Sequence, residues 1–341
     1  MGVEERPVIG LTVGDPAGVG PEIVVKALAD RTSYEVCRPV VYADRVVLEQ
    51  ALDHLGAGLQ LNEVARPADG RFGTGVIDFV EVGSLSKPIA MGEVSGEGGQ
   101  AGYDYLSAAI DAALAEEVDG LATAPLNKES LQAGKVPFID HTAALKDRAA
   151  LREPMTLFLV KAMKIFFLTR HISFREIPEA ITQSLIVDAV PLCALYLRQL
   201  GVIEPLLAVA ALNPHGGEQG LFGREEMEVI GPAVQASKVS GQNVVGPVPA
   251  DSVFHQALEG KYDGVLSLYH DQGHIASKTV DFHGTVSLTM GLKFLRTSVD
   301  HGTAFDIAGK GLAEAKGMVE AIKAAGKYSL SVKENLELEL A

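Results

Sequence analysis

The stretch Val8–Ala29, VIGLTVGDPAGVGPEIVVKALA, decides the fold class of this chain. Its opening run Val8–Val13 is apolar and has the length of a buried strand. The glycine-rich turn GDPAGVGPE follows, and Pro21 occupies a position typical of the first turn of a helix. The pattern predicts a strand, a tight turn and a helix that continues through Glu22–Ala29.

Strand-like and helix-like segments keep alternating along the chain, which indicates an α/β protein with a largely parallel sheet. The further predicted segments are strands at Val40–Ala43, Gly120–Ala124, Leu206–Leu212 and Val265–Tyr269, a hairpin at Met155–Thr169, and helices at Tyr103–Glu117, Asp188–Leu200 and Lys310–Ala325. Residues Glu81–Gly102 are the most loop-like stretch.

The composition of the chain limits the kinds of molecule that it is expected to bind and the compartment in which it is expected to act. The 341 residues carry a formal net charge of −15, which disfavours nucleic acid and anionic membranes as general partners. Cys37 and Cys193 match neither a disulfide framework nor a metal-thiolate spacing. The N-terminal segment has no secretory apolar region, and no apolar run is long enough to span a bilayer. We therefore expect a cytoplasmic protein.

Three histidines follow strand-like runs, at the edge that a ligand-binding cleft uses in open α/β sheets. They are His171 after IFFLTR, His215 after AVAALNP and His270 after GVLSLY. Three imidazoles with open positions suit zinc or a similar divalent ion. The alternative is three separate histidines with local structural roles, because their spacing matches no local ligand motif.

Glycine-rich turns offer a second kind of site. GDPAGVGPE can present backbone N–H groups to an anion, or it is a tight turn before a helix, since its glycines match neither the P-loop nor the dinucleotide fingerprint. GEGGQA at 96–101 matches a relaxed fingerprint, but no strand precedes it. HGTAFDIAGKG at 301–311 has the glycines and backbone donors of a nucleotide-binding turn.

Cations near these segments point to an anionic substrate. Lys278 and Arg296 lie between the third histidine and the nucleotide-type turn, and an arginine fork suits a phosphate or carboxylate. His141 and Thr142 add neighbouring polar groups after the apolar PFI.

Taken together, these segments resemble the 4-hydroxythreonine-4-phosphate dehydrogenase (PdxA) family of pyridoxine biosynthesis over nearly the whole chain. The matching segments are GDPAGVGPEI, TAPLNKE, HTAAL, RHISFREIPEAIT, LNPHGGEQGLFGREE, GPVPADSVF, YHDQGH and FLRTSVDHGTAFDIAG. The last of these segments also resembles the cofactor loop of isopropylmalate dehydrogenases. The two resemblances imply a two-domain isocitrate/isopropylmalate dehydrogenase-like fold with mostly parallel sheets and an interdomain active-site cleft. We expect a nucleotide-binding domain of residues 1–128 plus about 285–341, and a metal, substrate and dimerisation domain of about 129–284.

The resemblance also implies a set of site residues. They are the metal ligands His171, His215 and His270, the substrate-binding residues His141, Thr142, Lys278, Ser287 and Arg296, the catalytic residues His270, Lys278, Asp271 and His274, and the cofactor-binding residues His301, Gly302, Thr303, Asp306 and Gly309. The cofactors implied are NAD or NADP and a divalent metal, whether Zn, Mg, Mn or Co. In similar enzymes the third metal ligand comes from the partner subunit, so a homodimer is expected.

Some positions depart from the biosynthetic pattern. Ser287 stands where those enzymes have Asn, and His274 where they have Leu; Asp140 and Ala143 differ as well. His274 at this position resembles a branch of the family that acts on 4-phospho-D-threonate or 4-phospho-D-erythronate, and it also resembles the terephthalate cis-dihydrodiol dehydrogenases. The implied reaction is oxidation of the 3-hydroxyl of a 4-phosphorylated hydroxy acid, followed by decarboxylation. The alternatives are a terephthalate-type cis-dihydrodiol dehydrogenase and a non-catalytic metal- or nucleotide-binding homologue.

Overall fold

The computed structural model describes residues 5–340, with side chains described through residue 336. The chain divides into two compact units, Met1–Pro154 with Val286–Ala341, and Met155–Thr285. The break expected near residue 128 lies inside the first unit, because the two helices between residues 128 and 149 pack on the long helix at residues 96–114. The second break lies beside the expected position 285.

The first unit is built on a sheet whose strands are parallel except for one at its end. Its elements are β1 (Val8–Thr12), α1 (Gly20–Ala29), α2 (Thr32–Val36), β2 (Arg38–Ala43), α3 (Arg45–Leu55), β3 (Gln60–Glu63), β4 (Val76–Glu81), α4 (Gly96–Leu114), β5 (Gly120–Thr123), α5 (Lys128–Ala133), α6 (His141–Ala149), β11 (Val286–Leu292), β12 (Leu295–Val299) and α12 (Lys316–Leu340). The strand order is β3-β4-β2-β1-β5-β12-β11. All five residues of β1 are buried, as its continuous apolar run predicts for a strand covered on both faces.

The second unit has the same mixed architecture. Its elements are β6 (Ala150–Val160, which begins in the first unit), β7 (Met163–Phe167), α7 (Ile177–Ala180), α8 (Gln183–Gln199), β8 (Leu207–Ala210), α9 (Gly231–Val239), β9 (Val244–Val248), α10 (Ala250–Leu258), β10 (Gly264–Ser267) and α11 (His270–Val280). The strand order is β6-β7-β10-β8-β9. β6 and β7 form the predicted antiparallel hairpin, and the other neighbours are parallel. The prediction of an α/β protein with mostly parallel strands is confirmed.

The glycine-rich stretch before Tyr103 is helical from Gly96, although its composition is typical of a loop. Ser95 caps α4 by accepting a hydrogen bond from the Gly98 amide at 3.0 Å. A Cβ at Gly99 would lie 2.0 Å from the Ser130 carbonyl oxygen, and one at Gly102 would lie 3.0 Å from that of Gly14. The glycines therefore allow α4 to pack closely on neighbouring backbone, and this packing outweighs their low helix propensity.

The last helix begins at Lys316, six residues after the predicted Lys310. Two residues of α1 hold the intervening backbone out of a helix. The Lys26 ammonium donates to the carbonyls of Gly311 at 2.9 Å and Ala313 at 2.7 Å. The buried Glu22 carboxylate accepts from the amide of Ala313 at 2.8 Å and from Lys26 at 2.8 Å. We call this network the α1 clamp.

Within residues 5–340, no single helix is both long and apolar enough to cross a membrane. One pair of helices, Phe174–Ala180 and Gln183–Gln199, passes the length and composition test only when taken together, with a bend of 86° between them.

Candidate functional site

Three loops of the first unit meet at one edge of its sheet. They follow β1, β5 and β12, which are parallel neighbours, so their carboxyl ends lie side by side. The Asp15 amide donates to the Pro125 carbonyl at 3.0 Å, and the Val19 amide donates to the Thr303 carbonyl at 3.0 Å. The Asn127 side chain reaches the Thr303 hydroxyl at 3.3 Å. The turn GDPAGVGPE, the segment TAPLNKE and the turn HGTAFDIAGKG thus form one contiguous surface.

The predicted cofactor residues lie on this surface. His301 and Gly302 are exposed, whereas Thr303 is buried through its contacts with the two neighbouring loops. Gly309 has φ +70°, a left-handed conformation that favours glycine. The Lys310 ammonium donates to the Asp306 carbonyl at 2.6 Å, so the turn closes on itself. With the α1 clamp just beyond it, the turn is an ordered element of the fold.

Arg296 on β12 has a buried side chain, although it carries a positive charge. Its Nε and Nη2 donate to the Thr123 hydroxyl at 3.0 and 2.7 Å, and Nη1 donates to the Thr289 hydroxyl at 3.2 Å. Among the described residues no carboxylate is in ion-pair contact with it. Burial lowers the pKa of Arg296 to about 10, and the more distant charge of Asp140 opposes this. The guanidinium therefore stays charged at neutral pH without a counter-ion in contact.

His141 lies close to this guanidinium, as the first residue of α6 behind the capping residue Asp140. Burial, reinforced by the charge of Arg296, holds the pKa of His141 well below its ordinary value, and a hydrogen bond to the Ala124 backbone opposes the shift. In the described part of the chain its Nε2 is out of solvent and has no hydrogen-bond partner. The uncompensated guanidinium thus makes a site suited to an anion, and the neutral imidazole beside it leaves Nε2 as a hydrogen-bond acceptor.

Two other predicted substrate residues belong to the same unit. Ser287 on β11 is buried, and its hydroxyl donates to the Ser298 carbonyl at 3.4 Å. Thr142 follows His141 in the first turn of α6. Lys278, by contrast, lies on α11 in the second unit.

The depressed pKa of His141 predicts a pH-dependent stability. The unfolded chain binds a proton at this imidazole below about pH 6.5, whereas the folded chain resists it, so acidification destabilises the fold. The free energy of unfolding falls by at most roughly 1.4 kcal/mol per pH unit because of this one imidazole. We expect urea unfolding between about pH 7.5 and about pH 5.5 to show a smaller loss of stability in His141→Asn than in the unsubstituted protein. The exposed His283, changed to Asn, is the matched control; identical pH profiles for His141→Asn and the unsubstituted protein would contradict the assignment.

The three predicted metal ligands follow three neighbouring parallel strands of the second unit. His171 follows β7, His270 follows β10 and His215 follows β8, and the strand order is β7-β10-β8. His270 is the first residue of α11, three residues after the end of β10. The buried Gln272 side chain donates to the Ala211 carbonyl at 2.7 Å and accepts from the Leu268 amide at 2.8 Å. It therefore ties the ends of β8 and β10 together.

The geometry fits a divalent ion for two of these histidines. The ring centroids of His171 and His270 are 5.9 Å apart, and both line a cavity of about 270 Å³. Two imidazoles on one zinc ion, with nitrogens about 2.1 Å from the metal, have centroids roughly 5 to 6.5 Å apart. The His270 Nδ1 is 2.7 Å from an Asp271 oxygen, a contact that leaves Nε2 for a ligand. In one chain, the described residues gather no three His, Cys, Asp or Glu side chains close enough to hold a metal.

Predicted catalytic residues share one face of α11, since His270, His274 and Lys278 are spaced four residues apart. The His274 ring packs against Phe158 at 4.4 Å, Phe167 at 4.8 Å and His270 at 4.1 Å between centroids. The Lys278 ammonium lies 4.7 Å from the centroid of the Phe282 ring. The aromatic packing restricts the rotation of the His270 ring.

His215 lies in an unusual backbone segment. Every residue from His215 to Gln219 has positive φ, with 53° at His215, 45° at Glu218 and 55° at Gln219. Left-handed backbone is disfavoured by roughly 1–2 kcal/mol for each non-glycine residue. Strain of this kind persists only where the surroundings enforce it, and it is concentrated at functional sites. We call residues 215–219 the left-handed turn.

Sequence reasoning missed several residues of these sites. Thr123 and Thr289 orient Arg296, and the signal for Thr123 was the segment TAPLNKE at a strand end. Glu22 and Lys26 show the i, i+4 spacing of a helical ion pair, but nothing local indicates their partners.

Comparison with known proteins finds a matching family and several relatives. The model of the family described as pyridoxal phosphate biosynthetic protein PdxA matches residues 35–325. A Clostridium botulinum protein with the provisional name D-threonate 4-phosphate dehydrogenase is 47% identical over 328 residues, which cover 96% of this chain and 98% of that protein. The structure of 4-hydroxythreonine-4-phosphate dehydrogenase from Klebsiella pneumoniae superposes with a TM-score of 0.85 at 36% identity, covering 95% of this chain and 98% of the other.

A terephthalate 1,2-cis-dihydrodiol dehydrogenase from Burkholderia xenovorans is more distant, with a TM-score of 0.62 and 28% identity over 96% of this chain and 98% of the other. The dehydrogenases of phosphorylated substrates are thus the nearer relatives in both sequence and structure. The family model spans most of the chain, and the Clostridium botulinum relative has the same residue at nearly half of the aligned positions. The chain is therefore a dehydrogenase and belongs to the PdxA family.

Proposed function

We propose that the protein oxidises the 3-hydroxyl of a 4-phosphorylated hydroxy acid with NAD or NADP and a divalent metal, and that the resulting 3-keto acid is decarboxylated. The candidate substrates are 4-phospho-D-threonate, 4-phospho-D-erythronate and 4-phosphohydroxy-L-threonine. The name of the Clostridium botulinum relative favours the first. His274, which departs from the biosynthetic pattern, is consistent with either of the first two.

The buried Arg296 is the observation that carries the proposal. Its fork of donors is held by two hydroxyl groups and has no carboxylate in contact among the described residues. A buried cation of this kind is unfavourable unless an anion joins it. A phosphate dianion matches both the charge and the planar geometry of a guanidinium.

The other residues have supporting roles in this proposal. The neutral His141 gives its one N–H to the Ala124 backbone, so its Nε2 accepts a hydrogen bond from a hydroxyl group of the substrate, with Thr142 and Ser287 as further polar contacts. Lys278 offsets the remaining negative charge of the substrate. Asp271 or His274 accepts the proton that leaves the 3-hydroxyl. When bound, the metal acts as a Lewis acid at that hydroxyl and the nicotinamide accepts the hydride, while the turn from His301 to Gly309 holds the nucleotide.

We propose that a second subunit completes the metal centre. One chain brings His171 and His270 together, but its described residues gather no third ligand with them. Exposed apolar side chains are concentrated in the second unit, where Ile203, Phe174 and Leu221 are each more than 70% exposed. Such a surface is suited to self-association. This supports the expected homodimer with a shared site.

The test is a screen for NAD⁺ and NADP⁺ reduction with the three phosphorylated acids, each beside its dephosphorylated form, and a cis-dihydrodiol dicarboxylate. We expect reduction with a phosphorylated acid and loss of at least tenfold in kcat/KM without the phosphate, corresponding to about 1.4 kcal/mol or more. Carbon dioxide release should accompany the reduction mole for mole. Turnover of the dihydrodiol alone would replace the proposal with the terephthalate-type reaction, and turnover of no compound would favour a non-catalytic homologue.

A further inference from the structure

The left-handed turn that carries His215 is organised around one buried carboxylate, that of Glu226. This residue is the first of a π-helical turn, Glu226–Ile230, that leads directly into α9. Its side chain is buried and has no cationic partner among the described residues. A buried carboxylate without a cation is tolerated only where several N–H groups donate to it.

Those donors come from the segment just before His215. One carboxylate oxygen of Glu226 accepts from the amides of Leu212 at 2.8 Å and Asn213 at 2.7 Å. The other oxygen accepts from the Asn213 side-chain amide at 2.9 Å. All three bonds therefore end within three residues of the histidine.

The turn also closes against the carboxylate from its far side. A Cβ at Gly217 would lie 2.7 Å from a Glu226 oxygen, so the backbone approaches at a distance that only glycine allows. Glu226 thus contacts the chain on both sides of His215. The three non-glycine residues with positive φ lie between or beside these contacts.

We propose that Glu226 is a positioning residue for the metal centre, which holds the left-handed turn so that the His215 imidazole is presented in one direction. The inference rests on the proposed function, because it assumes that His215 binds the metal. Groups that orient a metal ligand from outside the coordination sphere change metal affinity by about 10- to 100-fold when they are replaced.

The experiment measures metal affinity directly, by zinc competition with a chromophoric chelator, together with the melting temperature of the metal-free protein. Glu226→Gln keeps the size of the side chain but removes the charge and turns one acceptor into a donor facing N–H groups. We expect its dissociation constant for zinc to rise about 10- to 100-fold. Glu225→Gln is the matched control, since the Glu225 carboxylate accepts from the Asn213 side-chain amide at 2.6 Å but, among the described residues, accepts from no backbone amide of the left-handed turn. We expect the zinc affinity of this variant to stay unchanged.

A lower melting temperature in Glu226→Gln would not separate positioning from folding, so Glu226→Asp is measured as well. It keeps the charge and shortens the reach, and we expect the same loss of zinc affinity with a smaller change in melting temperature. Wild-type affinity in both variants, or an equal loss in Glu225→Gln, would overturn the positioning role. If the unsubstituted protein binds no zinc, manganese, cobalt or magnesium, the proposed metal centre itself fails, and the inference fails with it.

Discussion

Replacing Arg296 by Met should lower kcat/KM for the phosphorylated substrate by about 100- to 4,000-fold. The substitution removes the buried partner of an anion, a loss of about 3–5 kcal/mol when one member of such a pair disappears. The measurement is the initial rate of nicotinamide reduction over a range of substrate concentrations. Arg296→Lys should recover only part of the loss, because lysine lacks the fork that holds a phosphate through two parallel bonds.

The stability of the same variant is the sharper control. In the free protein Arg296 is a buried charge held by two hydroxyls, so its replacement by an apolar side chain should leave the melting temperature unchanged or raise it. Inorganic phosphate should raise the melting temperature of the unsubstituted protein and have little effect on Arg296→Met. Arg66→Met removes an exposed arginine and serves as the surface control. An equal loss of activity toward phosphorylated and dephosphorylated substrates would show that Arg296 does not recognise the phosphate.

Removal of the metal should abolish turnover. We expect dialysis against a chelator to reduce kcat by at least about 1,000-fold and add-back of zinc, manganese or cobalt to restore it, because Lewis-acid assistance at the reacting oxygen contributes several kcal/mol. His215→Ala and His270→Ala should each lose both metal and activity. His255→Ala, outside the proposed ligand set, is the control. Full activity and metal content in His215→Ala would remove this residue from the ligand set.

Mixed dimers can test whether subunits share the metal. If His215 of one subunit completes the site that holds His270 of the other, a heterodimer of His215→Ala and His270→Ala contains one intact site and one doubly altered site. Mixing the two inactive variants under conditions of subunit exchange should then restore activity. If all three ligands come from one chain, every site in the mixture lacks a ligand and activity stays absent.

Local patterns predicted the elements that carry the chemistry but not their neighbours. The apolar runs before His171, His215 and His270 are readable in the sequence, and each histidine does follow a strand. The order β7-β10-β8, which places them side by side, depends on long-range pairing that no local pattern encodes. The four-residue spacing of His270, His274 and Lys278 is typical of one face of a helix, but the sequence analysis predicted only the strand that precedes these residues.

At the anion site around Arg296, local sequence likewise predicted the residue but not its surroundings. Arg296 was recognisable as a cation for a substrate, but its burial follows from the pairing of β12 with β5 and β11. Thr289 lies opposite Arg296 in the hairpin register, and Thr123 ends the neighbouring strand. The glycines after Ser95 predicted a loop, but the segment is helical, because close packing on Ser130 and Gly14 decides the conformation of these glycines.

The α1 clamp also has a consequence for the order in which the chain folds. Glu22 and Ala313 are 291 positions apart, so their hydrogen bond closes a loop that includes the entire second unit. During synthesis, α1 leaves the ribosome long before Gly311 and Ala313 do. Until those residues follow, the Glu22 carboxylate and the Lys26 ammonium contact only solvent or each other. Contacts of such long separation form late and slow the folding of a domain. The first unit can therefore close its α1 clamp only after Gly311 and Ala313 have left the ribosome.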